Sequence, residues 1–270
     1  MGADEENEPE RATRRYQRAL FNDVAELYEA TRPGYPRELV EFVAETAGLP
    51  AGASVLEVGC GTGQLTEHLA AMGFRVTAID LGPSMIEAAR RKVSGGAVSF
   101  GIGAFEDLDV ADGSFHLIIS GAAFHWIDPE VRFRKSARIL RPGGWLAVVG
   151  NSEDYDEPLR SLLEGMWVAR GDVNGAWATR RVNAAVMAGS GLFGTPVHRT
   201  WSRRMSRPAA DVIGVENTRS ISLSWPDDVR EGFNAELRQH LGSEDEVYFT
   251  LESPVTMARV ARARLLCRHA

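Results

Sequence analysis

Apolar residues along this chain keep two different spacings, and the two alternate between about residue 53 and residue 151. Ser54–Val58, Gly73–Asp80, Ala97–Ile102, Ser114–Ser120 and Trp145–Gly150 are short runs of strand length carrying Val, Ile, Leu or Phe. Runs of this kind suit parallel strands covered on both faces. Between them lie Leu65, Leu69 and Met72, then Met85–Lys92, then Val131–Leu140, each with the spacing of an amphipathic helix. Strand and helix in alternation predict an α/β fold with a doubly wound, mostly parallel sheet.

The flanks are patterned differently. Residues 2–10 are acidic and contain a proline, and a mobile tail is expected over residues 1–15. Tyr16, Leu20, Phe21, Val24, Leu27 and Tyr28 then lie on one face of a helix running to Tyr28. Two prolines around Gly34 make Glu29–Pro36 a turn that carries Arg32 and Tyr35. Glu38–Ala47 is a further helix, stopped by Gly48-Leu-Pro-Ala-Gly52. Beyond the core, Asn151–Gly191 reads as helices laid over the strand ends, with Leu159, Leu162, Leu163, Met166, Trp167 and Trp177 as their apolar positions. Phe193–Arg204 and Glu246–Arg262 have strand-like alternation, and Ala209–Ser220 and Asp227–Leu241 are helices inserted before the final strand.

The first strand carries the candidate chemistry. Ser54-Val-Leu-Glu-Val runs into glycines at 59, 61 and 63 and on into a helix. Ligands of doubly wound sheets sit beyond such strand ends, and glycine lets them approach bare backbone. A dinucleotide fingerprint needs a small residue at the place Gln64 holds, so a nicotinamide cofactor is disfavoured. The pattern is instead E-x-G-x-G-x-G. Glu57-Val-Gly-Cys-Gly-Thr-Gly63 resembles, at every position, the first motif of the class I S-adenosylmethionine-dependent methyltransferases.

That resemblance, which covers residues 16–151, implies a Rossmann-like sheet of seven strands with the last one antiparallel. It implies a helical lid at 16–48, an S-adenosylmethionine core at 53–151, and substrate-side helices with the last strands at 152–270, all within one domain at 16–270. It implies cofactor contacts from Glu57, Gly59, Cys60, Gly61, Thr62, Gly63 and Gln64. Tyr28-x-x-x-Arg-Pro-Gly-Tyr-Pro36 looks like the N-terminal segment of many small-molecule methyltransferases, which places Tyr28 and Arg32 at the cofactor and Tyr35 near the substrate.

Asp80 ends the second strand about twenty residues past Gly59, the spacing at which a carboxylate takes a ribose diol. Its other reading is a helix cap, but Ser84 and Glu87 form a capping box alone, leaving Asp80 and the adjoining Leu81 for the ribose. Ala104, Phe105 and Glu106 match the motif that frames adenine. The fourth strand ends at Ser120, where the transferred methyl would face, and Ala-Ala-Phe-His-Trp126 follows. The N/D-P-P-Y/F of adenine and glutamine amino methyltransferases is absent there. The stretch is similar to the branch that includes trans-aconitate methyltransferase-like proteins. His125 is then the candidate acid–base residue and Trp126 a pocket wall, both contacting substrate.

Composition narrows the class further. The net charge is −7, with 30 basic against 37 acidic residues, which argues against a nucleic-acid binder. No apolar run is long enough to span a membrane, and Cys60 and Cys267 form no metal or disulfide pattern, so a cytoplasmic protein without a metal is expected. The sequence therefore reads as an S-adenosylmethionine-dependent methyltransferase acting on a small molecule at oxygen, as a monomer or homodimer. Two alternatives stay open: a carboxyl O-methyltransferase of the trans-aconitate type, and a protein that binds S-adenosylmethionine without turnover.

Overall fold

The computed structural model describes residues 8–171, 182–242 and 246–261. Trp177, Cys267, His269 and the first seven residues of the expected tail lie outside these. Strands β1 (Ser54–Val58), β2 (Arg75–Asp80), β3 (Ala97–Ile102), β4 (Phe115–Gly121) and β5 (Leu140–Val149) pair in parallel in the order β3-β2-β1-β4-β5. Helices α4 (Thr66–Ala71), α5 (Pro83–Lys92) and α6 (Pro129–Ile139) connect them. β8 (Glu246–Arg259) then pairs antiparallel with β5.

Among the described residues the sheet has eight strands, one more than expected. The addition is β6 (Ser152–Tyr155), within a stretch that the apolar pattern assigns to helices. β6 is a continuation of β5. Val149 faces Val255 and Ser152 faces Glu252 on β8, so one antiparallel register runs through both, interrupted only at Gly150 and Asn151. β7 (Val197–Pro208) follows the other edge of β8 for its whole length. β8 is thus the strand opposed to all the others, as expected of the last one.

Strand parity explains the apolar runs. Val55, Val76, Ala78, Leu117 and Ile119 pack on one face, and Leu56, Val58, Ile79, Ile118 and Leu146 on the other. Both faces are buried, which is why the strands are apolar throughout rather than alternating. A third cluster joins Phe249 and Leu251 of β8 to α7 (Leu159–Val168), α9 (Ala209–Asn217) and α11 (Asp227–Leu241). Two short helices, α8 (Ala184–Gly189) and α10 (Ser220–Leu223), fall in the same C-terminal part.

The N-terminal segment departs from a single helix. It comprises α1 (Glu8–Ala19), a 3₁₀ stretch Leu20–Val24, and α2 (Ala25–Thr31), followed by α3 (Arg37–Ala47). Helix α1 takes in residues 8–15, which the acidic composition assigns to the tail. The break puts Asn22 against α5. Proline suits the first position of a helix, so α5 begins at Pro83 and Ser84 falls inside its first turn instead of capping it. The Ser84 N–H donates to Asn22 Oδ1 at 2.9 Å, a cap supplied from 62 residues away in place of the expected capping box. Among the described residues no helix is long and apolar enough to cross a membrane.

Candidate active site

Two adjoining cavities open at the carboxyl ends of β1, β2 and β4. The first, with about 730 Å³ of empty space, is lined by Gly59, Gly61, Asp80, Leu81, Ala104, Phe105 and Glu106, and by Arg18, Phe21 and Tyr28 from the N-terminal segment. Its floor is backbone. The Gly59 and Cys60 N–H groups both donate to the Ile79 carbonyl, at 2.9 and 3.0 Å, tying the turn after β1 to the end of β2. Gly59 has φ +70°, and a methyl group on it would run into the Ala123 side chain. Only glycine satisfies both conditions there.

Asp80 is the hub of this cleft. Its Oδ2 accepts the Gly61 N–H and its Oδ1 the Gly82 N–H, both at 2.9 Å. Burial raises its pKa, and these backbone bonds oppose the rise. Each carboxylate oxygen can accept more than one hydrogen bond, so Asp80 fixes the loop and still presents acceptors to the cleft it lines. It holds the loop from the position at which the sequence reading expects a ribose-binding acid. Glu106 closes the far side, paired with Arg18 at 2.8 Å and accepting the Asp128 N–H. Phe105 is buried with its ring in the core while also lining the cleft.

Several expected cofactor residues face elsewhere. Glu57 lies on the Val55 face of β1 and accepts the Thr66 hydroxyl at 2.7 Å, bracing α4 from below; burial raises its pKa to about 8. Ser120 is fully buried and donates to the Val58 carbonyl at 2.7 Å, stitching β4 to β1. Cys60 and Thr62 are enclosed beneath the turn. Gly63 is needed for packing, since a methyl there would sit 3.2 Å from Ala89 of α5. Strand and loop geometry alternates direction, so residues consecutive with the cleft-facing ones turn inward.

The second cavity has about 1430 Å³ of empty space and takes Arg32 and Gln64, both assigned to the cofactor by the motif reading. It also holds Tyr35, His125 and Trp126, together with Asn151, Glu153, Tyr155, Trp167, Thr218 and Arg219. Gly121 makes room for Tyr35, because a methyl on it would lie 2.8 Å from the Tyr35 hydroxyl. His125 and Trp126 occupy one 3₁₀ turn with ring centroids 4.9 Å apart, and Phe21 meets Trp126 at 6.1 Å.

Phe21, Tyr28, Ala122 and Trp126 line both cavities and so form their boundary. Ala122, at φ +52°, is the residue whose role the sequence reading misses. A left-handed backbone at a non-glycine residue costs about 1–2 kcal/mol and marks a place held by its surroundings. Here the Ala122 N–H is held by the Val149 carbonyl at 2.8 Å. The signal was the run of small residues after Ser120. Arg18, Glu153 and Arg219 were also missed, since nothing local marks them.

Comparison with known proteins points to methyltransferases. Residues 56–148 match the family model described as a methyltransferase domain. An uncharacterized methyltransferase of Mycobacterium tuberculosis is 35% identical over 143 residues, 53% of this chain and 56% of that protein. A ubiquinone biosynthesis O-methyltransferase of Xanthomonas axonopodis pv. citri is 43% identical over 101 residues, 36% of this chain and 42% of that one. The chain thus spans about half the length of the curated relatives it matches. A structure of a candidate type II methyltransferase from Anaeromyxobacter dehalogenans superposes with a TM-score of 0.60 at 22% identity, over 85% of this chain and 97% of that one. That likeness is one of fold. The trans-aconitate branch is not singled out by any of these matches.

Proposed function

We propose that this chain carries a class I S-adenosylmethionine-dependent methyltransferase domain and transfers a methyl group from S-adenosylmethionine to an oxygen of a small molecule. The observation that carries it is the shared wall: a cofactor-shaped cleft and a larger aromatic cavity meet at Phe21, Tyr28, Ala122 and Trp126. The oxygen preference is supported by the O-methyltransferase among the relatives.

The first cleft fits a cofactor with a ribose and no phosphate. Its cation, Arg18, is committed to Glu106, so among the described lining residues no free positive charge awaits a pyrophosphate. Asp80 would accept from the ribose hydroxyls, and Leu81, Ala104 and Phe105 would enclose the adenine. When bound, S-adenosylmethionine supplies a methyl group on a sulfonium, which an acceptor takes by in-line displacement. The residues of the boundary would hold the acceptor oxygen in line and keep water out, which is where most of the rate can come from. His125, in the second cavity beside Trp126, would take the proton from an acceptor hydroxyl. The N-terminal segment, which covers both cavities with Phe21 and Tyr28, would act as their lid.

Transfer of labelled methyl from S-adenosylmethionine to a panel of hydroxy and carboxylic acids tests the reading. Transfer is expected to at least one member. Tight cofactor binding with no transfer to any class of acceptor would favour a binding protein without turnover. Hydrogen exchange in residues 16–36 should slow when cofactor is added, and equal protection without it would make the segment fixed scaffolding.

A further inference from the structure

The second cavity holds a charge that the proposed transfer does not use. Arg32 enters it from the turn after α2, and its guanidinium donates to Thr218 Oγ1 at 2.8 Å and to the Val215 carbonyl at 3.4 Å. Both acceptors are neutral, and among the described residues no carboxylate pairs with Arg32. Arg219, next to Thr218 in the chain, lines the same cavity. Its Nε lies 2.9 Å from Glu216 Oε1, and the other Glu216 oxygen accepts the Trp167 indole N–H at 3.1 Å. Glu216 is fully buried, bonds Arg219 and Trp167, and acts on Arg32 through its charge without a hydrogen bond between them.

Of the other acids lining the cavity, Glu153 and Asp154 are paired, and Glu164 is exposed. Glu153 pairs with the buried Arg207 at 2.9 Å and accepts the Tyr155 hydroxyl at 2.9 Å. Asp154 pairs with Arg160 at 3.2 Å on the exposed rim. Arg32 is therefore a cation of this wall with no carboxylate in direct contact among the described residues. Burial, and next the charge of Arg219, push its pKa down, while Tyr28, Glu153 and Glu216 oppose the fall; Arg32 and Arg219 line the same cavity. A guanidinium does not lose its proton in a protein, so an anion is what relieves this arrangement. The Nη1 of Arg32 and the Nη atoms of Arg219 have no hydrogen-bond partner among the described residues and are the donors such an anion would meet.

We propose that the second cavity takes an acceptor bearing an oxyanion, a carboxylate or phosphate, seated between Arg32 and Arg219, with its apolar body against Tyr28, Trp126 and Trp167. The proposal rests on the methyl-transfer reading above and names its substrate class. Arg32 and Arg219 line the second cavity alone, whereas the boundary with the cofactor cleft is formed by other residues. The oxyanion is accordingly the anchor, and the methyl-accepting oxygen is a different atom of the same molecule, nearer Ala122 and Trp126. Guanidinium groups suit this task because their planar fork takes two oxygens at once.

The test uses the whole protein saturated with S-adenosylhomocysteine, with tryptophan fluorescence reporting from Trp126 and Trp167. Benzoate, phenyl phosphate and neutral benzamide are titrated in turn, and the first two separate the carboxylate from the phosphate source. At least one anion is expected to bind about tenfold or more tightly than benzamide, as one charge-assisted pair provides. Arg32→Gln, kept saturated with S-adenosylhomocysteine, should remove that advantage. Raising the salt concentration on the parent protein should also shrink the anion advantage while leaving benzamide unchanged, an arm that needs no variant to fold. Benzamide binding as tightly as both anions, or an anion preference that survives Arg32→Gln and salt, would overturn the seat. Failure of S-adenosylhomocysteine to bind would strike the methyl-transfer reading itself; its binding without any anion preference strikes the seat alone.

Discussion

The glycine-turn side of the first cleft is held in shape by contacts local in the chain. Ile79 and Asp80 bond the glycine turn and the start of α5, and every one of those contacts is made within residues 59–82. The second cavity is held by long side chains from distant parts of the chain. Arg32 reaches Thr218 across 186 positions, Arg203 bonds the Gly34 carbonyl across 169, and Asn151 bonds the Pro33 carbonyl across 118. The difference teaches which part is general and which is particular to this chain. Short-range backbone geometry recurs wherever the motif recurs, and the family match covers residues 56–148, where that geometry lies. A cavity assembled from side chains of five or six separate segments can change its ligand without disturbing the sheet.

If the two regions divide binding from chemistry, substitutions should separate them. The largest effect is expected at His125. Replacing it with Ala should cut turnover about 10²–10⁴-fold with cofactor affinity nearly intact, because a general base acts on the transition state. A variant turning over at near-parental rate on the true acceptor would remove that role and leave His125 as a wall.

Gly59→Ala is expected to damage the first region alone. The added methyl meets Ala123 and the backbone is left-handed, so overpacking and strain together should cost about 3 kcal/mol in denaturant unfolding. Gly61→Ala makes the contrast: it has open space around it, so stability should fall by only about 1 kcal/mol while cofactor binding weakens. Equal loss of stability at the two positions would contradict the packing described.

Asp80→Asn retains an acceptor for the loop but loses the charge. Affinity for S-adenosylhomocysteine should fall by roughly 1.5–3 kcal/mol, and the penalty for removing a ribose hydroxyl from the ligand should shrink in parallel. An unchanged penalty would confine Asp80 to holding Gly61 and Gly82.

The smallest effect is a slope. Glu57 has its pKa raised by burial to about 8, above its ordinary value of 4.5. Between those values the folded state holds a proton that the unfolded state has lost, so stability falls as pH rises from about 4.5 to about 8. The fall cannot exceed ~1.4 kcal/mol per pH unit. Glu57→Gln should match the parent near the bottom of that window and exceed it near the top, since Gln still accepts the Thr66 hydroxyl. Parallel stability curves for the two proteins would show that Glu57 titrates normally.

The legible part of the molecule was the part built locally. Strand, glycine turn and helix follow one another in the sequence, so the sheet, the cleft and the position of Asp80 in it could be read directly. Glu57 and Ser120, expected at the cofactor, are buried in the structure, and parity accounts for Glu57: it shares a face with Val55, and that face turns to α3 and α4. Ser152–Tyr155 is too polar to announce a strand; β8 supplies its partner by carrying the β5 register onward. The Asn22 cap on α5 and the Arg32–Thr218 bond join residues 62 and 186 positions apart, and no local pattern encodes such pairs. The second cavity was therefore hidden where the first cleft was not.

The central claim is that the glycine turn and Asp80 hold S-adenosylmethionine rather than a dinucleotide. Calorimetric titration of the protein with S-adenosylhomocysteine and, separately, with NAD tests it most directly. The account predicts single-site binding of S-adenosylhomocysteine, weakened by Asp80→Asn, and no heat of binding with NAD. Saturable binding of NAD with none of S-adenosylhomocysteine would contradict it.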